Sequence, residues 1–170
     1  GLGFSDDNLL ASAPVGGIRM SYWYLDEYVI GRQIETVPVQ IDAEDIMAFA
    51  RQYDPQPFHT DLEAAKDTVF DGLIASGFHT VAIANGQFLR TGILDGSNLG
   101  GPGMDNIRWL APVRPGDTLS TLMEVLEARA SKSNPARGIV RLGITVSNGA
   151  GVVATFETVI MVRTRETGAA

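Results

Sequence analysis

Between Leu73 and Leu94, apolar side chains recur on nearly every side of a helical wheel. They run from Leu73, Ile74 and Ala75 through Phe78, Val81, Ala82, Ile83 and Ala84 to Phe88 and Leu89. A helix that is apolar nearly all round has to be enclosed by the rest of its protein. Polar residues interrupt the run, and no stretch of the chain reaches the roughly 18 apolar residues that a bilayer span requires. The segment therefore predicts one long buried helix, and the remaining chain must supply the wall around it.

That wall is legible downstream as four strand-like runs. Asn106–Ala111 alternates through Ile107 and Trp109, and the turn Arg114-Pro115-Gly116-Asp117 leads into Thr118–Ala128, with Leu119, Met123 and Val125 on one face. Val140, Leu142, Ile144 and Val146 then alternate with Arg141, Gly143, Thr145 and Ser147. An Asn148-Gly149 turn returns the chain into Val152–Arg163. Upstream, Gln33–Ile41 is β-prone, with Val37, Val39 and Ile41 alternating. Asp42 is placed to cap a helix whose Ile46, Phe49, Ala50 and Tyr53 share a face. Asp54-Pro55 ends it, because a residue before proline avoids the α region. Thr60 and Glu63 have the spacing of a capping box for a short helix near Asp61–Lys66. The order of strand, helices and four antiparallel strands predicts an α+β fold, with one long apolar helix against a curled sheet.

A chain of 170 residues fits one domain, expected over 22–165. Residues 1–21, rich in Gly, Ser, Ala and Asp, read as a loose leader, and 166–170 as a C-terminal tail. Gly1 reads as a cloning remnant and Met20 as a candidate natural start. With 13 basic and 20 acidic residues the net charge is −7, which argues against the basic face that nucleic acid requires. Local arginines can still hold phosphates. Arg108, Arg114, Lys132 and Arg137 are the candidates for a phosphorylated carrier. The absence of cysteine removes disulfides, thiolate metal sites and cysteine nucleophiles together. The first 20 residues lack the basic start and continuous apolar core of a secretion signal. The expectation is a soluble, cytoplasmic protein with no membrane and no nucleic-acid partner.

The densest cluster of reactive groups is Tyr53-Asp54-Pro55-Gln56-Pro57-Phe58-His59-Thr60-Asp61. Its two prolines fix the backbone between a carboxylate and an imidazole. Ala75-Ser76-Gly77 then makes a small-residue approach to the apolar helix, where free backbone N–H groups face outward at the positive end of the helix dipole. These parts suit hydration of an unsaturated thioester. Adding water at the β-carbon pushes charge onto the thioester carbonyl, and one backbone donor to that oxygen is worth about 10²–10³ in rate. A carboxylate and an imidazole sharing a water can move both protons, each transfer worth roughly 10²–10⁴. Asp54, His59 and Gly77 are the candidate catalytic residues, and Gln56, Phe58 and Ser76 the candidate substrate contacts. No metal or organic cofactor is needed. His59 and Asp61 have no convincing third partner for a metal, Ser76 lacks the flanks of a nucleophile elbow, and His79 within the apolar helix reads as structural.

The run from Tyr53 to His59, followed by Ala64-Ala65 and by Gly72-Leu73-Ile74-Ala75-Ser76-Gly77-Phe78-His79, resembles the MaoC-like dehydratases. The likeness extends through Trp109-Leu110-Ala111-Pro112-Val113-Arg114-Pro115-Gly116-Asp117 and Asn134–Val140, and so covers roughly Tyr22 to Arg165. That family includes the (R)-specific enoyl-CoA hydratases and has the hot-dog fold. The resemblance implies that Asp54 and His59 are the catalytic pair and that the Gly77 amide polarises the thioester carbonyl. It also implies a central helix wrapped by the sheet, and a homodimer paired edge to edge. Where the hydratases often carry Asn two residues after the Asp, Gln56 stands here. The implied activity is hydration of a trans-2-enoyl thioester, on CoA or an acyl carrier, or the reverse dehydration of a 3-hydroxyacyl thioester. Two alternatives stay open: a hot-dog thioesterase and a non-catalytic acyl-thioester-binding subunit. Many thioesterases of this fold carry a carboxylate on the central helix, and no Asp or Glu occurs between Gly72 and Leu94.

Overall fold

The computed structural model describes residues 21–165. The expected leader, apart from Ser21, and the expected tail lie outside them. The elements run β1 (Gln33–Glu35), β2 (Val39–Gln40), α1 (Ala43–Tyr53), α2 (Pro57–Thr60), α3 (Gly77–Arg90), β3 (Gly103–Trp109), β4 (Thr118–Ala130), β5 (Arg137–Asn148) and β6 (Gly151–Arg163), with single 3-10 turns at Leu25–Glu27 and Ala64–Asp67. The strands form one antiparallel sheet in the order β1-β4-β5-β6-β3, with β2 pairing beside β1 on β4. The sheet curls around α3, giving the α+β hot-dog architecture. Among the described residues no helix is long and apolar enough to cross a membrane.

Strand periodicity builds the core. Leu119, Met123 and Val125 of β4, Val140, Leu142, Ile144 and Val146 of β5, and Phe156, Ile160 and Val162 of β6 are all buried on the inner face. Their outward neighbours are partly or fully exposed, as period-two side-chain geometry requires. The turn before β4 is a type II turn: Asp117 N–H donates to Arg114 O at 3.1 Å, and Gly116 holds φ +90° at the position that demands it.

Several local expectations change on folding. The expected strand Gln33–Ile41 is interrupted at Thr36–Pro38, where Pro38 has no N–H to give a ladder. The turn into β6 is closed by a side chain: Asn148 Oδ1 accepts from Ala150 N at 2.9 Å and Gly151 N at 3.1 Å. Thr60 and Glu63 form no capping box. Thr60 Oγ1 donates to Gln56 O, and Asp61 takes the capping role by accepting from Glu63 N and Ala64 N. Tyr53 is 64% exposed and does not join Ile46 and Ala50 in the core.

The long apolar helix is also shorter than its hydrophobic run. Leu73–Ala75 are buried but lie outside the helix, with Ala75 N–H donating to Val113 O at 2.8 Å, and helix begins only after Ser76. α3 buries Thr80, Ala84, Gln87 and Phe88 on one face, while Phe78 and Leu89 are exposed. Among the described residues the helix is therefore covered on one side, not all round. Gln87 is the larger of the two polar members of that face. Its Nε2 donates to Val37 O and Leu119 O, at 2.9 and 2.8 Å, and its Oε1 accepts from Thr121 Oγ1 at 2.8 Å. It thereby satisfies the carbonyl left open where β1 breaks from β2.

Candidate active site

α1 delivers Asp54. The backbone leaves the helix at this residue, ahead of Pro55, although Asp54 N–H still closes the last turn on Ala50 O at 2.9 Å. Pro57 starts α2, where its missing N–H is no loss. One helical turn then places His59, which is 5% exposed. His59 Nδ1 lies 2.8 Å from Ile74 O. A carbonyl oxygen only accepts, so Nδ1 carries the proton and the lone pair of the neutral ring sits on Nε2. Nε2 lies 3.4 Å from Asp54 Oδ2. Two acceptors this close call for a shared proton, or for a molecule that donates to both.

The carboxylate is held from two sides and faces the imidazole on a third. Ser76 Oγ donates to Asp54 Oδ2 at 2.7 Å, Gln56 Nε2 donates to Oδ1 at 2.8 Å, and His59 Nε2 stands 3.4 Å from Oδ2. The Ser76 hydrogen bond holds the Asp54 carboxyl below the usual carboxylate range. Burial opposes it, and Gln56 and His59 reinforce it. Ser76 is also the N-cap of α3, accepting from Phe78 N–H at 3.2 Å. Gly77 is the first helical residue. First-turn N–H groups lack intrahelical acceptors, and none of the described residues accepts from Gly77 N–H.

These groups line one end of a cleft of about 530 Å³. Asp54, Gln56, His59 and Gly77 form its polar end, and Phe58, Phe70, Ile74, Val113 and Val153 are among its apolar walls. The cleft thus brings together five of the six residues singled out by sequence. Ser76 is fully buried and reaches the site through Asp54. Of the four cations considered for a carrier, Arg108 and Arg114 flank the cleft wall at 109–113, and Arg114 already donates to Phe70 O at 2.6 Å. Arg137 pairs across from Arg163, nine residues along β5 from the Val146–Ala154 pair that adjoins Trp109, or about 30 Å at strand spacing. Lys132, on the same hairpin end, is equally remote. Trp109 was legible in sequence as an alternating strand residue and as part of the run resembling the family, with no role in the site assigned to it, yet it too lines the cleft. His79 packs flat on Phe49, with ring centroids 4.4 Å apart, and is structural.

A curled sheet around one helix, with a carboxylate–imidazole pair beside that helix's N-terminus, defines a hot-dog protein of the hydratase–dehydratase kind. A MaoC like domain matches residues 27–148, and the chain belongs to this family. It is 36% identical to the MaoC-like dehydratase from Rhodospirillum rubrum, covering 84% of this chain and 98% of that one with a TM-score of 0.77. The (R)-hydratase PhaJ1 from Pseudomonas aeruginosa, in unliganded form, is 28% identical over 84% of this chain and 86% of its own, with a TM-score of 0.66. Protein YdeM of Bacillus subtilis (strain 168) is 36% identical over 109 residues, which span 64% of this chain and 77% of that protein.

Proposed function

We propose that the chain, through a domain spanning 22–165, adds water to a trans-2-enoyl thioester to give a 3-hydroxyacyl thioester, or runs the reverse dehydration. The observation that carries this reading is the 3.4 Å approach of His59 Nε2 to Asp54 Oδ2 beside the Gly77 amide, at the polar end of an apolar cleft. A water that donates to both acceptors keeps its lone pairs free for the β-carbon. As its oxygen bonds to that carbon, one of its protons passes to the pair, and the double-bond electrons move onto the thioester oxygen. Gly77 N–H donates to the developing oxyanion, where a preorganised backbone donor acts without reorganisation cost. The pair then returns a proton to the α-carbon, so water has been added and the site is restored.

The apolar remainder of the cleft suits an acyl chain, and Phe58 and Gln56 border it. The likeness to an (R)-hydratase supports the same chemistry. α3 carries no Asp or Glu that would serve a thioesterase of the central-helix kind. The reading takes CoA or an acyl carrier as the thioester's carrier, a cytoplasmic setting and a homodimer. The test is to mix the purified protein with trans-2-butenoyl-CoA and follow enoyl absorbance and free thiol together. Loss of absorbance without thiol release supports hydration. Thiol release makes the protein a thioesterase, and neither signal over several acyl lengths makes it a binder.

A further inference from the structure

Trp109 ends β3 and lies where that strand meets the first turn of α3. β3 is irregular between Asp105 and Arg108, with Asn106 at φ +55°. Such bulges re-aim the side chains beyond them. Directly opposite Trp109 on β6 is Ala154, a small residue that leaves room for a large ring to turn inward. The ring turns onto Gly77. A Cβ built on Gly77 would collide with Cε2 and Nε1 of the indole, and would lie 2.7 Å from its Cδ2. Contact with three atoms of the pyrrole ring at once means that the ring's face lies over the glycine. Phe78 stands edge-on to the same indole, with centroids 5.7 Å apart and planes at 71°. Trp109 is 50% exposed, and both aromatic residues line the cleft.

We propose that Trp109 is a substrate-contacting residue that closes the carbonyl end of the site. Its indole, seated on Gly77 and braced by Phe78, keeps solvent from the Gly77 amide and gives the thioester a flat wall to pack against. A hydrogen-bond donor acts more strongly on developing charge where water is excluded. The arrangement also explains the glycine, since any side chain at 77 would displace the ring. The ligand class follows from the wall: a thioester group is planar, in a conjugated enoyl thioester the plane extends to the β-carbon, and such a group fits flat on an aromatic surface. This inference rests on the hydration reading and assigns the residue that shields its oxyanion.

Two properties make it testable. The chain has two tryptophans. Trp23 is 2% exposed with the Arg32 guanidinium 3.9 Å over its ring, so a ligand in the cleft changes only Trp109 emission. Butanoyl-CoA, which has no double bond to hydrate, is titrated while fluorescence is read and binding heat is measured separately. The expected result is a saturable change in emission that free CoA does not produce and that Trp109→Phe abolishes. With trans-2-butenoyl-CoA, Trp109→Ala is expected to lower kcat/KM about tenfold or more, part of the worth of one shielded donor, and Trp109→Phe to restore most of it. If the wild type hydrates substrate but Trp109→Ala matches it, the Trp109 proposal is overturned and the hydration reading stands. Binding heat without an emission change also overturns it. If the wild type neither binds nor hydrates any acyl-CoA, both fall together.

Discussion

Ser76 donates its hydroxyl hydrogen to Asp54 Oδ2 at 2.7 Å while accepting the Phe78 N–H at 3.2 Å. One fully buried side chain therefore ties the carboxylate proposed to face the water to the helix terminus proposed to face the carbonyl. Because a hydroxyl has a single hydrogen, the Phe78 amide on its acceptor side leaves that hydrogen for Asp54. The two halves of the proposed reaction are held in register by this contact.

Ser76→Ala should loosen that register. The loss of a helix cap and of a hydrogen bond to a charged group is expected to lower stability by about 1–2 kcal/mol. The main cause of the depressed Asp54 pKa disappears with it. The carboxyl ¹³C resonance of Asp54 should then titrate at higher pH than in the wild type. In the wild type, the ionised form stabilises the fold at neutral pH, and that contribution is lost as pH falls through the carboxylate range. An unmoved Asp54 titration would show that Ser76 does not set its charge.

The fold was readable because strand periodicity is local. Leu119, Met123 and Val125, or Val140 to Val146, announce one buried face without help from the rest of the chain. The catalytic candidates were readable for a similar reason: Asp54 and His59 are five residues apart, and prolines leave their backbone few options. The extent of α3 was not. Leu73 and Phe78 are both apolar, yet one is buried in the core and the other is exposed at the cleft. Hydrophobicity does not distinguish a wall of the core from a wall of a site. Gln87 and Trp109 were missed because their roles depend on partners at Val37, Thr121 and Gly77 that only tertiary structure supplies.

Gln87→Leu tests the buried network. Leucine fits an apolar helix face, but it leaves Leu119 O and the Thr121 hydroxyl without Gln87 in the core, and Val37 O without it at the core's edge. Each unpaired buried group costs about 1–3 kcal/mol. Chemical denaturation should show a loss of about 3 kcal/mol or more. A neutral result would mean that solvent or backbone movement satisfies those groups.

His79 should make the fold acid-sensitive. Its Nδ1 is buried with no hydrogen-bond partner among the described residues, and burial pushes the ring's pKa below the ordinary histidine value, with Asp45 opposing only in part. As pH drops from neutral through that ordinary value, the unfolded chain takes up a proton that the folded ring refuses, so stability falls. Melting temperatures from pH 7.5 to 5 should decline less steeply for His79→Phe, which keeps a ring against Phe49, than for the wild type. Equal slopes would show that His79 does not contribute.

The most direct test of the account is the hydration rate of trans-2-butenoyl-CoA by wild type and Asp54→Asn, with circular dichroism confirming that both are folded. Asparagine keeps the shape, and its one amide oxygen can still accept from Ser76 if the Gln56 amide turns to accept from Nδ2, but its amide cannot take a proton from water. The account requires a folded variant whose kcat falls by about 10²–10⁴. A folded Asp54→Asn protein with near wild-type turnover would contradict the Asp54–His59 mechanism.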